Sequence, residues 1–276
     1  MIKISAIEGN RQKLDGGSMF GNVPRPVWEK WASPDSLGRI ELACRALLIE
    51  IEGHKILCET GIGAFFEPKL ASRYGVQSPE RHMLLENLEA KNISHEDIDI
   101  LILSHLHFDH VGGLLPSFKE QEKGRKDLLF PNAQYVTSLE AFKRAENPHP
   151  RDRASFIPGL TEKLKASKRL TLLSEKNNLK ESYLKDKISF CFSNGHTPGQ
   201  IHTLLKGKEH SVFFCGDLVP GLAWLHLPVT MGYDRFPEKI IDEKKEILSK
   251  MEKNSTWLFY THDLNHPMSR CIFDEK

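Results

Sequence analysis

Within six residues, His105-Leu106-His107-Phe108-Asp109-His110, the chain gathers three imidazoles and a carboxylate. Neutral imidazole and carboxylate are ordinary ligands of Zn²⁺ and also suit Fe and Mn. The spacing is too tight for one helical face. In a tight loop, His105 and His107 converge on one ion, while Asp109 and His110 point to a second position nearby. With 13 histidines in 276 residues, a solvated loop that is His-rich by accident is the weaker explanation.

The element that must carry this cluster precedes it. Ile98-Asp99-Ile100-Leu101-Ile102-Leu103-Ser104 reads as a buried strand of mostly branched residues. The ligand-type residues begin where it ends, in a loop at its carboxyl edge, where binding groups concentrate on a rigid scaffold. Further strands are expected at residues 2–8, 12–20, 40–51, 55–58, 133–136, 170–173, 188–192, 201–205, 211–215 and 257–260. Arg45 either faces solvent or pairs with a buried acid. A short helix follows the stiff loop at 22–28, and Ser78-Pro79-Glu80 opens another with a serine N-cap and a first-turn proline. Helices are also expected at 139–145 and 155–167. Residues 236–253 form an amphipathic one, with Ile240, Ile241, Ile247, Leu248 and Met251 on its buried side. The segment 115–185 has the weakest pattern and is open to a lid, an oligomer contact or neither. His82, His95 and His149 lie outside every ligand-like cluster. Pattern alone gives a mixed α and β chain, one domain over 1–276, with residues 1–35 as an N-terminal arm.

Composition narrows the function classes. The formal charge is +1, so no basic field is present to hold a phosphate backbone, and nucleic acid is not expected as a partner. Residues 1–8 are too short and interrupted for a signal peptide, and no 18-residue apolar run exists. No membrane association and a cytoplasmic location are therefore expected. The five cysteines, Cys44, Cys58, Cys191, Cys215 and Cys271, are odd in number and lack Cys-x-x-Cys spacing. Four of them sit in or beside apolar strand-like sequence and read as thiols packed as small hydrophobes, Cys215 included despite its place two residues before Asp217.

His105-x-His107-x-Asp109-His110 resembles the signature of the metallo-β-lactamase-fold hydrolases. Three further landmarks of that family follow in order. Gly195-His196-Thr197-Pro198-Gly199 resembles the loop with the next histidine, Phe213-Phe214-Cys215-Gly216-Asp217 the strand ending in the bridging aspartate, and Tyr260-Thr261-His262-Asp263 the site of the last histidine. The resemblance runs from about Leu42 to His262. It implies an α/β fold, the αββα four-layer sandwich, with two mixed β-sheets face to face and helices outside. It also implies that His105, His107 and His196 hold one metal, that Asp109, His110 and His262 hold a second, and that Asp217 bridges them. Two divalent ions are then the cofactor, with Zn expected and Fe, Mn or Co as alternatives. Glu59 stands where the family has an aspartate that hydrogen-bonds a ligand histidine. Gln200 stands where many relatives have another histidine. His202 is a candidate for contact with the ligands from behind, and His226 and His266 for the rim.

Leu14-Asp15-Gly16-Gly17-Ser18-Met19-Phe20-Gly21, Gly216-Asp217-Leu218-Val219-Pro220 and Met231-Gly232-Tyr233-Asp234 look like the branch containing the quorum-quenching lactonases. The resemblance implies a binuclear hydrolase whose metal-bridging hydroxide opens a lactone or related carboxylic ester, of the N-acyl-homoserine lactone kind. Asp109 is a candidate to pass a proton and Tyr233 to donate to the oxyanion or leaving group. Met19, Phe20, Trp28, Phe65, Trp224 and Leu225 are candidates for an apolar wall against an acyl chain, although Met19, Phe20, Trp28 and Trp31 equally suit packing of the arm onto the body. The alternatives are a phosphodiesterase on the same fold and a non-catalytic metal-binding sensor. A small-molecule ester is the expected partner, and a homodimer is open.

Overall fold

The computed structural model describes residues 2–174, 184 and 186–270. The fold is mixed α/β and consists of two compact units, Met1–Leu14 with Glu41–Leu172 and Asp15–Ile40 with Leu173–Lys276.

The first unit is built on a six-stranded sheet whose spatial order follows the chain: β1 (Ile2–Glu8), β2 (Arg45–Ile51), β3 (His54–Cys58), β4 (Ile100–Ile102), β5 (Gln134–Ser138) and β6 (Leu170–Leu173). The first three pair antiparallel, while β3, β4 and β5 run parallel, with Ile102 aligned to both Cys58 and Val136. A central parallel strand is covered on both faces, which is why β4 and its flanks read as a continuous apolar run. Leu48, Leu57, Leu101 and Tyr135 from the sheet join Leu84, Leu88, Phe142 and Leu164 from helices in one buried cluster. Residues 2–8, the start of the expected arm, are thus a strand of this sheet. Arg45 is buried and pairs with Glu8, directly opposite in the β1–β2 register.

The helix expected to open at Ser78 instead spans Met83–Glu89. Ser78 takes a left-handed backbone conformation, φ 51°, and Asn10 does the capping from a distance. Its Nδ2 donates to the carbonyls of Gln77, Ser78 and Arg81, and its Oδ1 accepts from the Met83 amide. A tertiary contact thus overrides the local cap signature. The strand expected over 40–51 is broken at Ala43-Cys44 into Arg39–Leu42 and Arg45–Ile51.

The second unit carries a five-stranded sheet, β7 (Ile188–Ser193), β8 (Gln200–Leu205), β9 (Val212–Phe214), β10 (Trp257–Phe259) and β11 (Met268–Arg270), again in chain order across the sheet. All pairs are antiparallel except β9–β10. The helix Pro237–Lys253 buries Ile240, Ile247, Leu248 and Met251 as its spacing predicts, together with Lys244, while Ile241 is only half-buried. The strand expected over 12–20 ends at Asp15, whose carboxylate accepts from the Ser18 amide and caps a short helix, Gly16–Phe20. Phe20 stacks on Trp224 and Trp28 at ring separations of 4.6 and 5.6 Å, and the Trp224 indole donates to the Met19 carbonyl. Phe20 is 0% exposed, so it offers no surface to a ligand. Its work is to fasten this segment. No described helix is long and apolar enough to cross a membrane. Cys44, Cys58, Cys191 and Cys215 are not joined in disulfides. Cys271 lies outside the described residues.

Candidate metal centre

In the first unit, Ser104 and His105 lie just past the end of β4, and His107 stands at the N-cap position of the short helix Phe108–Val111. This loop must lie close against residues 60–62, because a Cβ on Gly113 would stand 2.1 Å from the Thr60 carbonyl oxygen. The glycine after the cluster is therefore a packing requirement. Behind it, His82 is buried. Its Nε2 lies 3.0 Å from the Gly113 carbonyl, and burial lowers its pKa.

A chain of hydrogen bonds fixes which ring nitrogens face inward. The Ser104 hydroxyl donates to Glu59 Oε1, which only accepts, so it must accept from His105 Nδ1, 2.9 Å away. His105 then presents a bare Nε2, 3.0 Å from His107 Nδ1. Two nitrogens on one tetrahedral Zn²⁺ at about 2.0–2.1 Å lie roughly 3.3 Å apart, so this spacing fits a shared ion. Glu59 Oε2 lies 2.8 Å from His110 Nδ1, which leaves His110 Nε2 outward. Glu59 thus makes the contact that the family resemblance assigns to an aspartate. It does so from φ 66°, a left-handed conformation uncommon outside glycine. Glu59, His105 and His110 donor atoms lie within 4.8 Å of one another, all buried. The Asp109 carboxylate accepts from Gln12 Nε2 at 2.7 Å, with Oδ1 3.7 Å from His110 Nε2.

In the second unit, Asp217 lies just beyond β9 and His262 just beyond β10, the two parallel strands of its sheet. The Asp217 carboxylate lies between two imidazoles: Oδ2 is 3.2 Å from His196 Nε2, and Oδ1 is 3.3 Å from His262 Nε2. One oxygen to each histidine is the disposition required of a carboxylate that bridges two ions. His196 is oriented from behind by Asp234, whose Oδ1 lies 2.9 Å from Nδ1 and whose Oδ2 accepts from the Met231 amide. Glu243 accepts from the amides of Asn194 and Gly195, pinning the His196 loop. Gly195 is obligatory, since a Cβ there would stand 2.6 Å from the Ile240 nitrogen.

Of the seven expected ligands, four are thus assembled in the first unit and three in the second. His202 is fully buried and bonded to Ser193, with its pKa lowered to about 4 by burial, so it is a neutral packing group near neutral pH. The Gln200 side chain is fully buried, with neither amide atom bonded among the described residues. Tyr233 is 39% exposed. His226 stacks on Trp31, and His266 bonds Asp263 at the surface. Sequence reasoning missed Gln12, Ser104, Asp234, Glu243 and Lys244. Only Asp234 carried a signal, lying in a motif already singled out.

Residues 39–121 match the family model of the Metallo-beta-lactamase superfamily. The structure overlays a probable metal-dependent hydrolase from Staphylococcus aureus with a TM-score of 0.87 at 25% identity, covering 98% of this chain and 92% of that one. The chain has the metallo-β-lactamase fold. A dizinc quorum-quenching lactonase, AidC, in complex with a product homoserine, overlays this metallo-β-lactamase-fold chain with a TM-score of 0.77 at 20% identity (99% and 92% covered). An N-acyl homoserine lactone hydrolase with its product bound at the catalytic metal centre overlays with 0.69 at 18% (95% and 93%). A 7,8-dihydropterin-6-methyl-4-(beta-D-ribofuranosyl)-aminobenzene-5'-phosphate synthase from Methanocaldococcus jannaschii is 45% identical over 49 residues, 18% of this chain and only 17% of that relative's length. Together these findings support a metal-dependent hydrolase, as the motifs imply.

Proposed function

We propose that the chain is a binuclear metal-dependent hydrolase that opens a lactone or related carboxylic ester, and that both units form one hydrolase domain. The observation that carries this reading is the Asp217 carboxylate, with one oxygen directed to each of two histidines. His105, His107 and His196 would hold one ion, and Asp109, His110 and His262 the other, with Asp217 shared. The donor set of neutral imidazoles and carboxylates suits Zn²⁺. When bound, such a pair lowers the pKa of a shared water toward about 7 and polarises the attacked carbonyl.

The protein's own groups do the rest. Glu59, Ser104 and Asp234 hold the ligand rings in the tautomers that bind metal. Asp109 would take the proton that the attacking water gives up and pass it to the departing alkoxide. Tyr233, on the turn that also supplies Asp234, donates to the substrate oxyanion or the leaving group. The relatives bound to homoserine products support an acyl-homoserine lactone substrate.

The test is turnover by metal-loaded protein on lactones of graded acyl length beside a panel of p-nitrophenyl phosphodiesters. Lactone opening that His107→Ala and Asp217→Asn abolish is the expected result. Preferred phosphodiester cleavage would reassign the substrate, and no turnover at all would leave a metal-binding sensor.

A further inference from the structure

We infer that Gln12 is a positioning residue for the second ion: its amide fixes the rotation of the Asp109 carboxylate, so that Oδ1 is left to the metal. This rests on the binuclear reading above. Gln12 lies 97 residues before Asp109 and is 0% exposed, yet its Nε2 stands 2.7 Å from Asp109 Oδ2. An ionised carboxylate only accepts, so the NH₂ end of the amide must be the end that faces it.

The backbone around Gln12 is fastened on both sides. The Lys13 amide donates to the Tyr74 carbonyl, the Gln77 amide to the Arg11 carbonyl, and Asn10 caps the helix at Met83. The amide therefore arrives at Asp109 from a fixed frame.

Two features argue that the contact serves the ligand rather than the core. Gln12 Oε1 is buried without a hydrogen-bond partner among the described residues, so as a packing element this side chain is worse than Met or Leu of similar size. The donor is also neutral. A lysine or arginine at this place would compete with a cation for the charge of Asp109, whereas an amide aligns the carboxylate and leaves its charge to the ion.

Zinc titration of the metal-free chain against a chelating competitor tests this, alongside thermal unfolding of the metal-free forms. Wild type is expected to take two ions. Gln12→Met is expected to keep the first and to bind the second roughly 10–100-fold more weakly, with the metal-free melting temperature unchanged or raised. Gln12→Asn keeps the neutral amide but draws it back by one methylene from Asp109, and is expected to weaken the second ion as well. It decides the matter should Gln12→Met fail to fold. Two ions bound as tightly by both variants as by wild type would overturn the role of Gln12 alone. So would equal weakening of both ions in step with lost metal-free stability. A wild type that takes fewer than two ions would sink the binuclear reading itself and the Gln12 assignment with it.

Discussion

Asp234 accepts two hydrogen bonds with two oxygens, one from His196 and one from the Met231 amide. Asparagine offers one acceptor and one donor in the same outline, so it satisfies only one of them. Asp234→Asn is therefore expected to weaken metal binding by roughly 10–100-fold, read by chelator competition, with the fold intact by circular dichroism. Tyr233→Phe removes a hydroxyl and little else from a half-exposed ring. If Tyr233 donates to the oxyanion or the leaving group, kcat on a lactone falls roughly 100-fold while metal content stays at the wild-type level. Equal kcat would return Tyr233 to a packing role. The ligand-type residues were legible in the sequence because they fall in short motifs with fixed internal spacing. Gln12 was not, because it meets its carboxylate across 97 residues of chain and nothing local marks a hydrogen bond made at that range; the motif holding Asp234 was visible, but not its bond to a histidine 38 residues away.

Elements show the same division. The helix at 237–253 was readable from its apolar stripe, but Lys244 within that stripe was not. It is 1% exposed, and its Nζ donates to the carbonyls of Trp224, His226 and Val229 at 2.8–2.9 Å, tying the loop after Asp217 to the helix. Burial lowers its pKa from 10.5 to about 8, with Asp234 opposing. Below about pH 8 the amine is charged in both folded and unfolded chains, and the cost of burying that charge is fully present. Between about 8 and 10.5 the folded protein has released the proton while the unfolded chain retains it, so stability rises with pH through that window. Denaturant unfolding at pH 8 and pH 10 is expected to show this rise in wild type and a smaller one in Lys244→Met. An equal rise in both would show that Lys244 does not titrate there. Strands were legible where the apolar run was long. The start of the helix at Met83 and the break at Ala43-Cys44 were misread: Asn10 decides the first, and the second falls where the chain passes from a separate two-stranded sheet, at Arg39–Leu42, into the six-stranded one, at Arg45–Ile51.

For the molecule as a whole, pattern alone gave only mixed α and β. Four ordered motifs gave the metallo-β-lactamase fold, which the structural neighbours bear out. The segment 115–185 carried no such motif, and its described part is a series of short helices, Phe118–Glu122, Leu139–Glu146 and Leu160–Ala166, between sheet strands. If the buried carboxylates and imidazoles are a metal centre, chelation leaves them without their common partner. Bound metal at about 100 times its dissociation constant stabilises the fold by about 2.7 kcal/mol, so a chelator is expected to lower the melting temperature and zinc to restore it. A melting temperature indifferent to both would argue that these groups pair only with one another. The most direct measurement is an anomalous-scattering map from a crystal grown with zinc. The account predicts two peaks about 3.5–4 Å apart, one beside each oxygen of Asp217. A single peak there, or zinc only at surface histidines, would contradict it.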